Sequence, residues 1–175
     1  MCREVNLMKR SLKYFSLIAV LLLAAGSAVA QERAAVLAGA ELTRVVPTGF
    51  YFQGLSAPTQ MRNSAAVRFA ANRFVVAGLV DTAGYAADVR AKYEGFLITD
   101  SPIAINGTAL GIGAYGFGFS DNGRLQILDL AGNQVLSVST AKDNELKRPR
   151  PLMMTLTAEG VRLYNGKDYV TLTAR

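Results

Sequence analysis

The chain has 175 residues, 19 Lys and Arg against 13 Asp and Glu, a formal net charge of +6, one cysteine, and neither histidine nor tryptophan. Without histidine there is no Ser-His-Asp or Cys-His catalysis, no histidine general base and no ordinary zinc or copper site. The one cysteine, Cys2, falls in a segment read below as a cleaved leader, which leaves no disulfide, thiol nucleophile or thiolate ligand. No cofactor and no metal are therefore expected.

Lys9, Arg10 and Lys13 form a basic start, residues 17–25 a short apolar core, and Ala28-Val29-Ala30 a small-residue cleavage site. This is the pattern of a signal peptide, and its style resembles a bacterial Sec signal. Cleavage is expected after Ala30, so the mature chain starts at Gln31. Translation from Met8 would give a more typical leader than translation from Met1. No cysteine follows the apolar core, so no lipid anchor is expected, and the apolar run is too short for a stable membrane span. The reading is residues 1–30 as signal peptide, 31–41 as an N-terminal tail or short helix, and 42–175 as one β domain, placed in the periplasm or secreted. The leader holds four cations (Arg3, Lys9, Arg10, Lys13) and one anion (Glu4), so the remaining 145 residues carry only +3. That balance gives no reason to expect a nucleic-acid partner.

From residue 42 the chain reads as many short strands separated by Gly, Asn and Asp turns. Residues 42–46 (LTRVV) are a first strand, closed by Pro47 and Gly49. Residues 50–53 alternate, with Phe50 and Phe52 inward. Residues 54–63, around Pro58, read as a loop or irregular edge. Residues 65–69 and 74–80 form a hairpin. The second strand, FVVAGLV, is apolar on both faces, as in a central strand covered on both sides. Residues 85–93 are a short helix or an extended connection, and 96–99 a strand. Asn106-Gly107 is a strong hairpin signal, because a type I′ turn needs φ > 0 at both central positions. Asn165-Gly166 repeats it. Turns recur every eight to eleven or so residues, the spacing of sandwiches and barrels. The expected fold is all-β, an antiparallel β-sandwich or small β-barrel. A membrane barrel is disfavoured, since its strands need about 9–11 alternating residues.

The segment 103–119 (IAINGTALGIGAYGFGF) reads as a central hairpin. Tyr115, Phe117 and Phe119 share one face of its last strand, and Ala114, Gly116 and Gly118 the other. Three small residues in one lane imply close approach by a large ring or a second backbone, or else a ligand; packing is the commoner cause. GIGAYG mimics a nucleotide fingerprint, but no helix follows it. The segment also resembles a hairpin of exported bacterial β-sandwich domains of unknown function, through Ile105, Gly107, Leu110, Gly113 and Tyr115. That resemblance implies a sandwich and no activity. The lipocalin Gly-x-Trp is absent.

Candidate chemistry is sparse. Asp81, Asp88, Glu94 and Asp100 could supply a two-carboxylate hydrolase, although Asp81 and Asp100 sit beside turn formers. No S-x-x-K or G-x-S-x-G motif occurs. Lys147, Arg148 and Arg150, interleaved with Pro149 and Pro151, suit either an anion clamp or a solvated loop. The ligand-contacting residues expected are Tyr85, Tyr115, Gly116, Gly118, Arg148 and Arg150. The expected function is non-catalytic: binding an unknown small ligand or an envelope protein. A glycan hydrolase and a purely structural envelope protein are the alternatives, and the oligomeric state is left open.

Overall fold

The computed structural model describes residues 34–70 and 73–175; the expected signal peptide and residues 31–33 lie outside them. The described chain is mostly antiparallel β, in two sheets that share one apolar core. The first sheet begins with β1 (Ala35–Val36), β3 (Leu55–Ala70) and β4 (Arg73–Val80). It continues through β5 (Gly95–Thr99), β8 (Gly113–Ser120), β9 (Arg124–Leu128) and β10 (Gln134–Ser139), with β2 (Gly49–Phe52) paired to β3. The second sheet runs β12 (Arg150–Thr157), β13 (Gly160–Gly166), β14 (Asp168–Ala174), β6 (Ile103–Ile105) and β7 (Thr108–Leu110), with β11 (Ala141–Lys142) on β14. Two short helices, α1 (Gly39–Val45) and α2 (Ala87–Arg90), precede β2 and β5.

Strand period fixes the two cores. Along β4, Val75 and Ala77 point between the sheets, where they join Leu97, Phe117 and Ile127 from the first sheet and Ile105, Leu163 and Leu172 from the second. Val76 and Val80 point the other way, into a second cluster with Phe50, Phe52, Tyr85, Tyr93 and Phe96. Leu42 and Val45 of α1 pack against that cluster. The central strand is thus apolar on both faces because both faces are covered.

Four elements differ from the expectation. Residues 42–46 belong to a helix and its cap, since Leu42, Val45 and Val46 lie on one face at helical spacing and all meet the second cluster. The helix stops at Val46, whose backbone is extended ahead of Pro47. Residues 55–63 are strand rather than loop, irregular between Thr59 and Ser64 as the irregular-edge alternative has it. The chain tolerates Pro58 there because its carbonyl still accepts Asp81 N–H at 3.0 Å, and the register shifts between Thr59 and Ser64. Segment 103–119 is divided: β6 and β7 close the edge of the second sheet, and the chain crosses at Gly111-Ile112 to put β8 inside the first. In the last hairpin Asn165 pairs with Asp168, so the turn residues are Gly166 and Lys167. Only Gly166 has positive φ (+61°), the type II′ pattern rather than I′.

Asn106-Gly107 is the turn expected, with φ of +47° and +82°. Asn106 also joins other strands: its Oδ1 accepts Thr171 N–H at 2.8 Å and its Nδ2 donates to Ser139 O at 2.8 Å. Asn106→Ala should therefore cost about 2–4 kcal/mol, from two lost hydrogen bonds and left-handed strain. Asn106→Gly should cost less, since only the bonds are lost. Urea denaturation of the pair separates the two contributions; equal losses would remove the strain component.

Candidate functional site

The glycine lane of β8 is filled. A Cβ on Gly116 would lie 2.6 Å from the Phe52 ring, and one on Gly118 would lie 2.7 Å from the Lys92 carbonyl carbon. Phe52 stacks on Tyr93 with centroids 3.9 Å apart. Tyr85 meets Tyr93 edge-on at 5.2 Å, and its hydroxyl donates to Leu55 O at 3.1 Å. Burial pushes the hydroxyl pKa values of Tyr85 and Tyr93 above the ordinary tyrosine value. Tyr85, Gly116 and Gly118 thus belong to one packed assembly with Phe52 and Tyr93. A ligand in the lane would have to displace both a ring and a backbone segment.

That packing has a product. Because Gly118 carries no side chain, the Lys92–Glu94 backbone lies directly against β8. Glu94 N–H then donates to Phe117 O at 2.8 Å, and Glu94 O accepts Val80 N–H at 3.1 Å. The Glu94 side chain is held by the same arrangement. Its Oε2 accepts Phe119 N–H at 2.9 Å and Asn165 Nδ2–H at 3.1 Å, one donor from each sheet. Burial raises its pKa above the ordinary glutamate value. The two hydrogen bonds oppose that shift, and the Asp121 carboxylate adds to it.

Glu94 lines a polar cleft of about 350 Å³ with Phe119, Ser120, Asp121, Gly123, Thr140, Lys142, Asn165 and Asp168. Its walls come from the end of β8, the β8–β9 turn, the β10–β11 junction, β13 and the start of β14. Lys142 pairs with Asp168 at 3.7 Å. No ion pair engages Glu94 or Asp121 among the described residues. A smaller hollow of about 170 Å³ lies beside α1, bordered by Leu37, Arg44, Arg68 and Phe74.

The remaining carboxylates singled out in the sequence have other work. Asp81 Oδ1 accepts Ala83 N–H at 3.0 Å within its turn. Asp100 Oδ1 accepts Phe74 N–H at 2.7 Å across the sheet. Asp88 sits in the first turn of α2. Tyr115 folds over Gly113 and donates to Gly111 O at 3.2 Å, at the crossing between sheets. Arg148 and Arg150 are exposed and do not line the cleft, and Arg150 opens β12 opposite Gly166. The structure gathers Tyr85, Gly116 and Gly118, and leaves Tyr115, Arg148 and Arg150 apart from them. Sequence reasoning missed Asp121, Asn165 and Asp168: Asp121 and Asn165 stand beside glycine turns that account for them without a site, and Asp168 opens the last strand. Among the described residues no helix is long and apolar enough to cross a membrane. Comparisons with protein-family models, curated proteins and solved structures return no match.

Proposed function

We propose that this chain is an exported β-sandwich domain that binds a small polar ligand in the Glu94 cleft. Export rests on the basic start, apolar core and Ala28-Val29-Ala30 of the leader. Protein recovered from its native host should then have an intact mass that starts at Gln31; a chain retaining residues 8–30 would contradict export. The observation that carries the binding reading is Glu94 itself. A part-buried carboxylate with no ion-pair partner among the described residues costs stability, and such groups are concentrated where proteins use them.

Mass spectrometry of small molecules co-purifying from the native host tests this reading. A compound enriched with the wild-type protein should fall with Glu94→Gln. A wild-type protein that is reproducibly empty, or equal recovery from both proteins, would overturn it. A second reading, hydrolysis by two carboxylates, is favoured by the same raised Glu94 pKa, to which burial contributes most and the Asp121 carboxylate adds. Turnover of a glycan abolished by Glu94→Gln and by Asp121→Asn would move the assignment to that reading.

A further inference from the structure

We propose that the Glu94 cleft takes a small, hydroxyl-rich organic cation, of the size and chemistry of a protonated amino sugar. This rests on the cleft being a ligand site and goes further, because the wall has an excess of one kind of hydrogen-bonding group. Glu94 Oε2 is committed to Phe119 and Asn165. Among the described residues, Glu94 Oε1, Asn165 Oδ1 and the Asp121 carboxylate accept no side-chain or backbone donor. The main counterweight is the Lys142 ammonium, already matched to Asp168. Such a wall is complemented by a ligand that brings donors and positive charge.

The shape narrows the class. About 350 Å³ lies at the small end of ligand sites, room for a compact molecule rather than a polymer segment. Phe119 supplies one apolar wall, and Gly123 presents no side chain. Thr140 stands at the β10–β11 junction, Asn165 in β13 and Asp121 in the β8–β9 turn, so the polar groups come from separate elements of the wall, which suits a ring bearing several hydroxyls better than a single ammonium. A divalent metal ion is the wrong cation. Among the described residues no three acidic side chains converge as its ligands do.

Three sugars of one size and different charge provide the test: glucosamine, glucose and glucuronate, titrated into the mature protein at low salt and followed by amide chemical shifts. Glucosamine should move the amides of Phe119, Thr140 and Asn165 and bind at least about tenfold more tightly than glucose, and glucuronate should leave them unmoved. Raising the salt concentration should shrink that gap. Equal binding of glucose, preference for glucuronate, no shift with any of the three, or saturation of the same amides by Ca²⁺ would overturn the proposed class. The site assignment stands or falls separately, on whether the co-purifying compound depends on Glu94.

Discussion

Gly118→Val should lower the stability of the domain by about 3 kcal/mol or more, at the upper end of overpacking effects. The reason lies in what the new side chain meets. Its Cβ would stand 2.7 Å from the Lys92 carbonyl carbon and 3.2 Å from Tyr93 N, and backbone held on both sides by hydrogen bonds cannot move aside as a side-chain tip can. Gly116→Val strikes the Phe52 ring instead. Phe52 is fully buried and stacked on Tyr93, so it too has little room, and a loss of about 1–3 kcal/mol is expected. Urea denaturation should rank Gly118→Val below Gly116→Val, and both below wild type. An unchanged midpoint for either would mean that the lane is open. Gly118→Val should also push Lys92–Glu94 off β8. It should therefore weaken ligand binding even in molecules that remain folded.

Glu94→Gln should have opposite effects on the fold and on the site. The amide keeps an oxygen that accepts Phe119 N–H and Asn165 Nδ2–H, and it removes a charge that burial disfavours. The folded protein holds the Glu94 proton more tightly than the unfolded chain does. The contribution of Glu94 to stability is thus complete below the unfolded value and is lost as pH rises through the folded one. The variant should melt higher than wild type at pH 7, and the difference should close as the pH falls below 4.5. Ligand binding should weaken about ten- to a hundredfold, the worth of a hydrogen bond to a charged group. Thermal unfolding at the two pH values, together with a binding titration, checks both halves. A variant less stable than wild type at pH 7 would show that the charge stabilises the fold.

Much of the architecture could be read from local pattern. The double-faced apolar run 74–80 marks a strand covered on both sides, Asn106-Gly107 a two-residue turn, and the lane of Gly116 and Gly118 a close approach by ring and backbone. Other elements depend on distant partners. LTRVV fits either period over five residues, and the cluster around Phe50 and Phe96 selects the helix. Pro58 is a strand breaker by local rules, yet its one lost donor is offset by Asp81 reaching its carbonyl. The turn of the last hairpin slips by one residue because Asn165 pairs with Asp168, which leaves the Asn165 side chain to reach Glu94.

The cleft was the least legible part. Glu94, Asp121, Asn165 and Asp168 are up to 74 positions apart in the chain, and only the face-to-face packing of two sheets brings them to one cavity. The glycine lane, visible from the sequence, is not that cavity. Its role is to seat Tyr93 and the backbone beside it, and so to set Glu94 at the junction of the sheets.

The pH titration of the Glu94 side-chain carboxyl by ¹³C NMR tests this most directly. A midpoint above 4.5 in the protein without ligand, falling when the cleft ligand binds, is the expected result. A midpoint at or below 4.5, unmoved by that ligand, would contradict a carboxylate held at a cost to the fold for recognition in the cleft.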